Sequence, residues 1–320
     1  MKKRNKIALF SLATTAIAAG ASGCVGSYFY NLALNKKRTG SKDELKREAL
    51  EIQGTEDFPI ENIIGEVEWF KRKSNYIDIN IKSFDNLDLH GYKIVNEKKT
   101  DNWVIIVHGY CCKGIEMTLY AKKFYELGFN ILIPDLRGHG LSNGNYIGMG
   151  WHDRLDILGW INYLVKAYPD SKIVLHGVSM GSATVCMAAG EDLPQNVKAI
   201  ISDCGYTSAW DQFSYHLKRV YHLPSFPILN LASIKTKFKA GYSLKEASTI
   251  KQLSKSKTPI IFIHGDKDDF VPYSMMEKLY NATSSPKEMV TIKDAEHAKG
   301  VIQDPETYWN SITNFLNKYL

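Results

Sequence analysis

The sequence predicts an α/β fold, a mainly parallel central sheet with helices on both faces. Three observations predict it. Strand-like and helix-like segments alternate from about residue 76 to the C-terminus, the order that builds parallel sheets through right-handed crossovers. Several strand segments are unbroken apolar runs, such as Val104-Ile105-Ile106-Val107, as expected of strands buried on both faces. The residues best suited to chemistry directly follow those strands, where open α/β sheets bind their ligands.

In chain order, Tyr76–Ile81 alternates with period two and a second short strand follows near Leu87–Val95. Trp103–Val107 is a buried strand that ends at His108-Gly109. Leu119–Leu127 has helical spacing and stops at Gly128, as helices do. Phe129–Ile133 is the next strand, ending at Pro134-Asp135. Arg154–Tyr168 is a helix halted by Pro169. Lys172–His176 is a strand, Ser182–Ala189 a helix and Val197–Ser202 a strand. After a long insertion come a strand at Pro259–His264, a helix at Ser274–Asn281, a strand at Glu288–Ile292 and a closing helix at Tyr308–Tyr319.

The 320 residues suffice for one large domain plus extra segments. Lys and Arg outnumber Asp and Glu by 40 to 34, but residues 1–50 hold ten basic and three acidic residues. The rest of the chain is near neutral, which argues against a nucleic-acid binder. Lys2, Lys3, Arg4 and Lys6 precede a charge-free run from Ile7 to Asn35, long enough to span a bilayer. Residues 1–35 are therefore expected to contact the membrane. Three forms are open: an uncleaved transmembrane helix, which is preferred, a signal peptide cleaved after Ala21, or a lipoprotein site at Ala21-Ser22-Gly23-Cys24 with the lipid on Cys24; a buried N-terminal helix of a soluble protein is the remaining, less favoured reading. Residues 36–70 read as a charged, helix-prone linker and residues 71–320 as the folded domain. None of the five cysteines has metal-ligand spacing. Cys186 and Cys204 read as small buried hydrophobes, and no metal or cofactor is expected.

Gly177-Val178-Ser179-Met180-Gly181 is a G-x-S-x-G sequence between an apolar strand and an Ala-rich helix. A turn that tight admits only small neighbours and lifts Ser179 clear of the sheet at the positive end of a helix. Ser179 is thus the candidate nucleophile. With it come His108-Gly109-Tyr110, Asp135-Leu136-Arg137-Gly138-His139-Gly140, His264-Gly265-Asp266-Lys267-Asp268-Asp269-Phe270-Val271-Pro272 and His297. In this order the motifs resemble the α/β-hydrolase family over about Tyr76 to Leu320. The closest likeness is to bacterial membrane-associated, esterase-like members with a short helical cap.

The resemblance implies a serine hydrolase, most simply a carboxylic ester hydrolase with a small-molecule or lipid-like substrate. A peptidase or acyltransferase on the same residues is the first alternative, and a catalytically idle surface binding module the second. It implies that His297, in the loop after the last strand, is the base. Among Asp266, Asp268 and Asp269, the spacing G-x-x-D-x-x-V-P selects Asp268 as the acid, with Asp203 in reserve. Asp266 and Asp269 are expected to cap local turns, and Asp135 to order the Arg137–Gly140 loop. Met180 and Tyr110 are expected to supply the two oxyanion N–H groups, with Cys111 the neighbouring choice for the second. The expected location is a bacterial cell membrane, with the domain on its outer side.

Residues 208–257 are far longer than an ordinary αβ connection and read as a cap over the site. Nine Lys and Arg there face only Asp211 and Glu246, among several aromatic residues. This bias suggests an anionic membrane surface or an acidic substrate.

Overall fold

The computed structural model describes residues 23–36 and 60–320. An eight-stranded sheet runs through the molecule in the order β1-β2-β4-β3-β5-β6-β7-β8. The strands are β1 (Ile77–Lys82), β2 (Asp88–Ile94), β3 (Asn102–Val107), β4 (Asn130–Pro134), β5 (Lys172–Val178), β6 (Val197–Asp203), β7 (Ile260–Gly265) and β8 (Lys287–Ile292). The β1–β2 and β2–β4 pairs are antiparallel and the others parallel. The helices are α1 (residues 23–33), α2 (Ile60–Arg72), α3 (Thr118–Glu126), α4 (Asp153–Ala167), α5 (Met180–Ala188), α6 (Ala209–Tyr221), α7 (Ile228–Ala240), α8 (Thr249–Leu253), α9 (Ser274–Ala282), α10 (Gly300–Gln303) and α11 (Pro305–Leu316).

The period of two along β3 divides the core. Trp103, Ile105 and Val107 join Trp160 of α4 and Leu279 of α9 on one face. Val104 and Ile106 join Phe124 of α3 and Ile312 of α11 on the other. Both sets are fully or almost fully buried, so β3 reads as one continuous apolar run.

The parallel registers carry the functional loops to one edge. Val107 pairs with Gly177, Val178 with Asp203 and Gly265 with Ile292. The turns that follow β3, β5, β6, β7 and β8 therefore emerge side by side.

Three boundaries depart from the sequence reading. The charge-free run assigned to an anchor up to residue 35 is, from residue 23, a helix packed on the domain. Gly26, Tyr30 and Leu34 recur every four residues on its buried side, the spacing of one helix face. Backbone bonds from Ile147 N–H to Leu34 O at 2.9 Å and from Lys36 N–H to Asn145 O at 3.3 Å tie down its end. Among the described residues no helix is long and apolar enough to cross a membrane; residues 1–22 lie outside the described residues.

The linker reading of 36–70 fails at its C-terminal end, while residues 37–59 lie outside the described residues. Phe70 of α2 is fully buried and its ring stacks on Tyr76 at 4.6 Å between centroids. Burying such a side chain stabilises by about 2–3 kcal/mol, so α2 belongs to the domain. The cap is shorter than expected. A bridge between Ser208 and Ser248 closes its base, and Leu253 of α8 is already back in the core.

Candidate active site

Strand β5 delivers Ser179 into a turn that two glycines permit. Ser179 sits at φ 57° and ψ −115°, a sparsely populated region for a residue with a side chain. A Cβ on Gly177 would lie 2.2 Å from the Gly181 carbonyl oxygen, and one on Gly181 2.0 Å from that of Val107. Backbone packs directly on backbone, so the turn has no room to relax. The Ser179 N–H donates to Asp203 O at 2.8 Å. Met180 opens α5, and the first N–H groups of a helix have no intrahelical acceptor.

His297 Nε2 lies 2.8 Å from Ser179 Oγ, and its Nδ1 lies 2.7 Å from Asp268 Oδ2. A carboxylate only accepts, so the neutral imidazole carries its proton on Nδ1 and accepts the serine hydroxyl at Nε2. Asp268 is buried and fully engaged. Its Oδ1 accepts the N–H groups of Phe270 at 3.0 Å and Val271 at 2.8 Å. Its Oδ2 also lies 3.0 Å from His264 Nε2. Burial alone would push the Asp268 carboxyl up. The charge of His297 and the hydrogen bonds from His264 and His297 outweigh burial and hold it well below the usual carboxylate range.

The other acids take different places. Asp266 Oδ1 accepts the Asp294 N–H at 2.7 Å, stapling the acid loop to the loop that carries His297. Asp269, expected to cap a following segment, instead pairs its exposed carboxylate with Arg219 of the cap. Asp203 accepts the Tyr308 hydroxyl at 2.8 Å, and burial pushes it up to about 6. Asp135 orders its loop: its carboxylate accepts the N–H groups of Gly114 at 2.8 Å and Leu141 at 3.0 Å and pairs with His90.

Tyr110 lies in the turn after β3, closed by Cys112 N–H to Gly109 O at 3.3 Å, with Cys111 at φ 58°. The Val107–Gly177 pairing sets this turn beside Ser179. The Tyr110 hydroxyl donates to Ala33 O at 2.7 Å, linking the turn to α1. Cys111 and Cys112 are not joined in a disulfide.

Ser179, Met180, Tyr110 and Cys111 border a cavity of about 180 Å³. Helices α6 and α7 roof it with Phe213, Leu217, Val220, Leu229 and Ala232, α1 adds Phe29, Tyr30, Leu32 and Ala33, and Leu34 follows directly after it. Among the described residues no carboxylate, Lys or Arg lines it. His216 of the cap also borders it, in ring contact with Phe270 at 4.4 Å, and Phe270 contacts His297 at 4.8 Å. Burial, reinforced by the nearby His297, lowers His216 to about 4, so it is neutral at pH 7.

Two neighbours of the site escaped the sequence reading. Cys204, read as a buried hydrophobe, presents its thiol with the Asp268 carboxylate and His297 ring, their ligand atoms all within 4.8 Å. The available signal was its place, directly after β6. Helix α1 was read as membrane-bound, because a charge-free run gives the same signal in either setting.

A family model described as "alpha/beta hydrolase fold" matches residues 102–223. The uncharacterized protein YqkD of Bacillus subtilis is 30% identical over 316 residues, 98% of this chain and 97% of its own. Among solved structures, the Pyrococcus furiosus esterase Pf2001 aligns with a TM-score of 0.64 at 24% identity, covering 78% of this chain and 95% of its own. The acylaminoacyl peptidase of Pyrococcus horikoshii aligns with a TM-score of 0.56 at 20% identity, over 78% of this chain and 42% of its own.

Proposed function

The chain belongs to the α/β-hydrolase superfamily, and from that premise we propose that it is a serine hydrolase that cleaves a carboxylic ester through an acyl-enzyme. The observation that carries the reading is the hydrogen-bonded series Ser179–His297–Asp268 opening into an apolar cavity. Ser179 Oγ attacks the ester carbonyl while His297 Nε2 takes its proton. Asp268 stabilises the resulting imidazolium. The Met180 and Tyr110 N–H groups hold the oxyanion, a contact that typically supplies ~10²–10³ in rate per donor. His297 then protonates the departing alcohol. Water, deprotonated by the same ring, releases the acid and restores Ser179.

An ester fits better than a peptide, because among the described residues no carboxylate lines the cavity to hold a substrate amine. Transfer of the acyl group to another alcohol would use the same residues. A fluorophosphonate probe tests the reading: it should label the wild-type protein, and Ser179→Ala should abolish the labelling. Absence of wild-type labelling would favour an idle binding module.

We also assign the protein to a membrane surface, with the exposed face of the cap as its contact and the domain outside the cytoplasm. The roof of the cavity supports this. Tyr28, Phe226, Ile234 and Phe238 are all more than half exposed on α1, on α7 or beside it, a composition suited to a bilayer interface. The basic bias of the cap is partly spent internally, since Arg219 pairs with Asp269 and Lys237 with Glu246.

A further inference from the structure

We propose that α1 is a wall of the acyl pocket and sets the length of acyl chain that the enzyme accepts, its substrates being esters of single, uncharged acyl chains. The inference rests on the serine-hydrolase reading above and extends it to a substrate class.

Three features of α1 carry it. It contributes Phe29, Tyr30, Leu32 and Ala33 to the cavity that contains Ser179. Its backbone closes the gap to the cap: a Cβ on Gly26 would lie 2.7 Å from the carbonyl oxygen of Leu231 in α7. Helix meets helix there with no side chain between. Its last turn is latched to the floor, because the Tyr110 hydroxyl donates to Ala33 O at 2.7 Å. Tyr110 is also the residue assigned an oxyanion N–H.

The chemistry of the lining selects the chain. The cavity, about 180 Å³, is near the ~150 Å³ at which an apolar pocket takes a benzene-sized guest. It therefore suits a short to medium chain. With no charged lining residue among those described, a charged substituent on the acyl group would lose its water without a counter-charge, whereas Gln212, Thr236 and Tyr206 leave polar groups in the lining. Each methylene that enters should raise kcat/KM about fourfold until the pocket is full.

The test uses the full chain and p-nitrophenyl esters from acetate to dodecanoate, read as ratios of kcat/KM between chain lengths. Ala33→Phe narrows the pocket from α1 and should lower the octanoate-to-butanoate ratio at least tenfold. Leu32→Ala widens it from the same helix and should move the optimum to longer chains. Ala232→Phe, on the facing helix α7, checks that the assay senses pocket size. If Ala232→Phe moves the optimum while both α1 variants leave the ratios within twofold of wild type, the wall assignment is overturned. Fluorophosphonate labelling of each variant keeps the two readings apart. No labelling of the wild type breaks the serine-hydrolase reading, whereas normal labelling with an unmoved chain-length optimum breaks only this one.

Discussion

The floor of the site and its roof are built on opposite principles. The floor hangs from strand ends and is fixed by backbone. Gly177 and Gly181 leave no space for a Cβ, Ser179 is bonded to β6, and both Asp268 oxygens are engaged. The roof is made of helices whose inward faces are apolar and whose outward faces expose Phe226 and Phe238. Apolar contacts are non-directional, so the roof can change its residues and keep its shape, while the floor tolerates almost no change. On the function proposed above, the chemistry is therefore specified below and the substrate above.

This contrast breaks first at the acid. Asp268→Asn should lower kcat about 10⁴-fold, while Asp269→Asn, which removes an exposed pair with Arg219, should cost less than about threefold. Steady-state rates of the two purified variants decide it. Near-normal turnover by Asp268→Asn would remove it from the floor.

A second effect probes the floor by pH. Burial holds His139 and His176 down to about 3, against about 6.5 in an unfolded chain. Their folded values are depressed, so the stability they contribute is complete above pH 6.5 and is lost as pH falls toward 3. Asp203 acts with the opposite sign. Burial lifts it to about 6, so from about pH 4 to 6 the folded state holds a proton that the unfolded state releases. That term lowers stability by ~3 kcal/mol as pH rises across the window. Denaturant midpoints should fall between pH 7 and pH 4, and Asp203→Asn should make the fall steeper. An unchanged slope would mean that Asp203 is already ionised at pH 5.

The smallest effect lies where the layers meet. Tyr110→Phe keeps the backbone N–H and removes one hydrogen bond to α1, worth ~0.5–1.5 kcal/mol. A roughly 3–10-fold loss in kcat/KM for a medium-chain ester is expected, mostly in KM. If kcat falls instead and KM holds, the latch serves the oxyanion turn and belongs to the floor.

Much of the floor was legible in the sequence because its signals are local. A G-x-S-x-G between an apolar strand and a small-residue helix places Ser179 without tertiary information, and a fixed spacing to Val271-Pro272 separates Asp268 from Asp266 and Asp269. The roof was illegible for physical reasons. A helix enclosed between a cap and a sheet has the same uncharged composition as one enclosed by lipid, so α1 read as an anchor. The charges of α2 hid the single face on which Phe70 packs. The pairing of Asp269 with Arg219 spans 50 residues and leaves no trace in either segment. Cys204 looked like packing because burial and nearness to chemistry demand the same small side chain.

The bonds between cap and acid loop make the layers mechanically one. Gln212 donates to Phe270 O at 2.9 Å and Tyr215 to Asp269 O at 2.9 Å. Arg219 holds both the carbonyl and the carboxylate of Asp269. All four bonds run from α6 to the two residues directly after Asp268. Any displacement of that helix has to break them at the segment that carries Asp268, the partner of His297. The cap and the acid are thus tied through one short stretch of backbone, and neither can shift without the other.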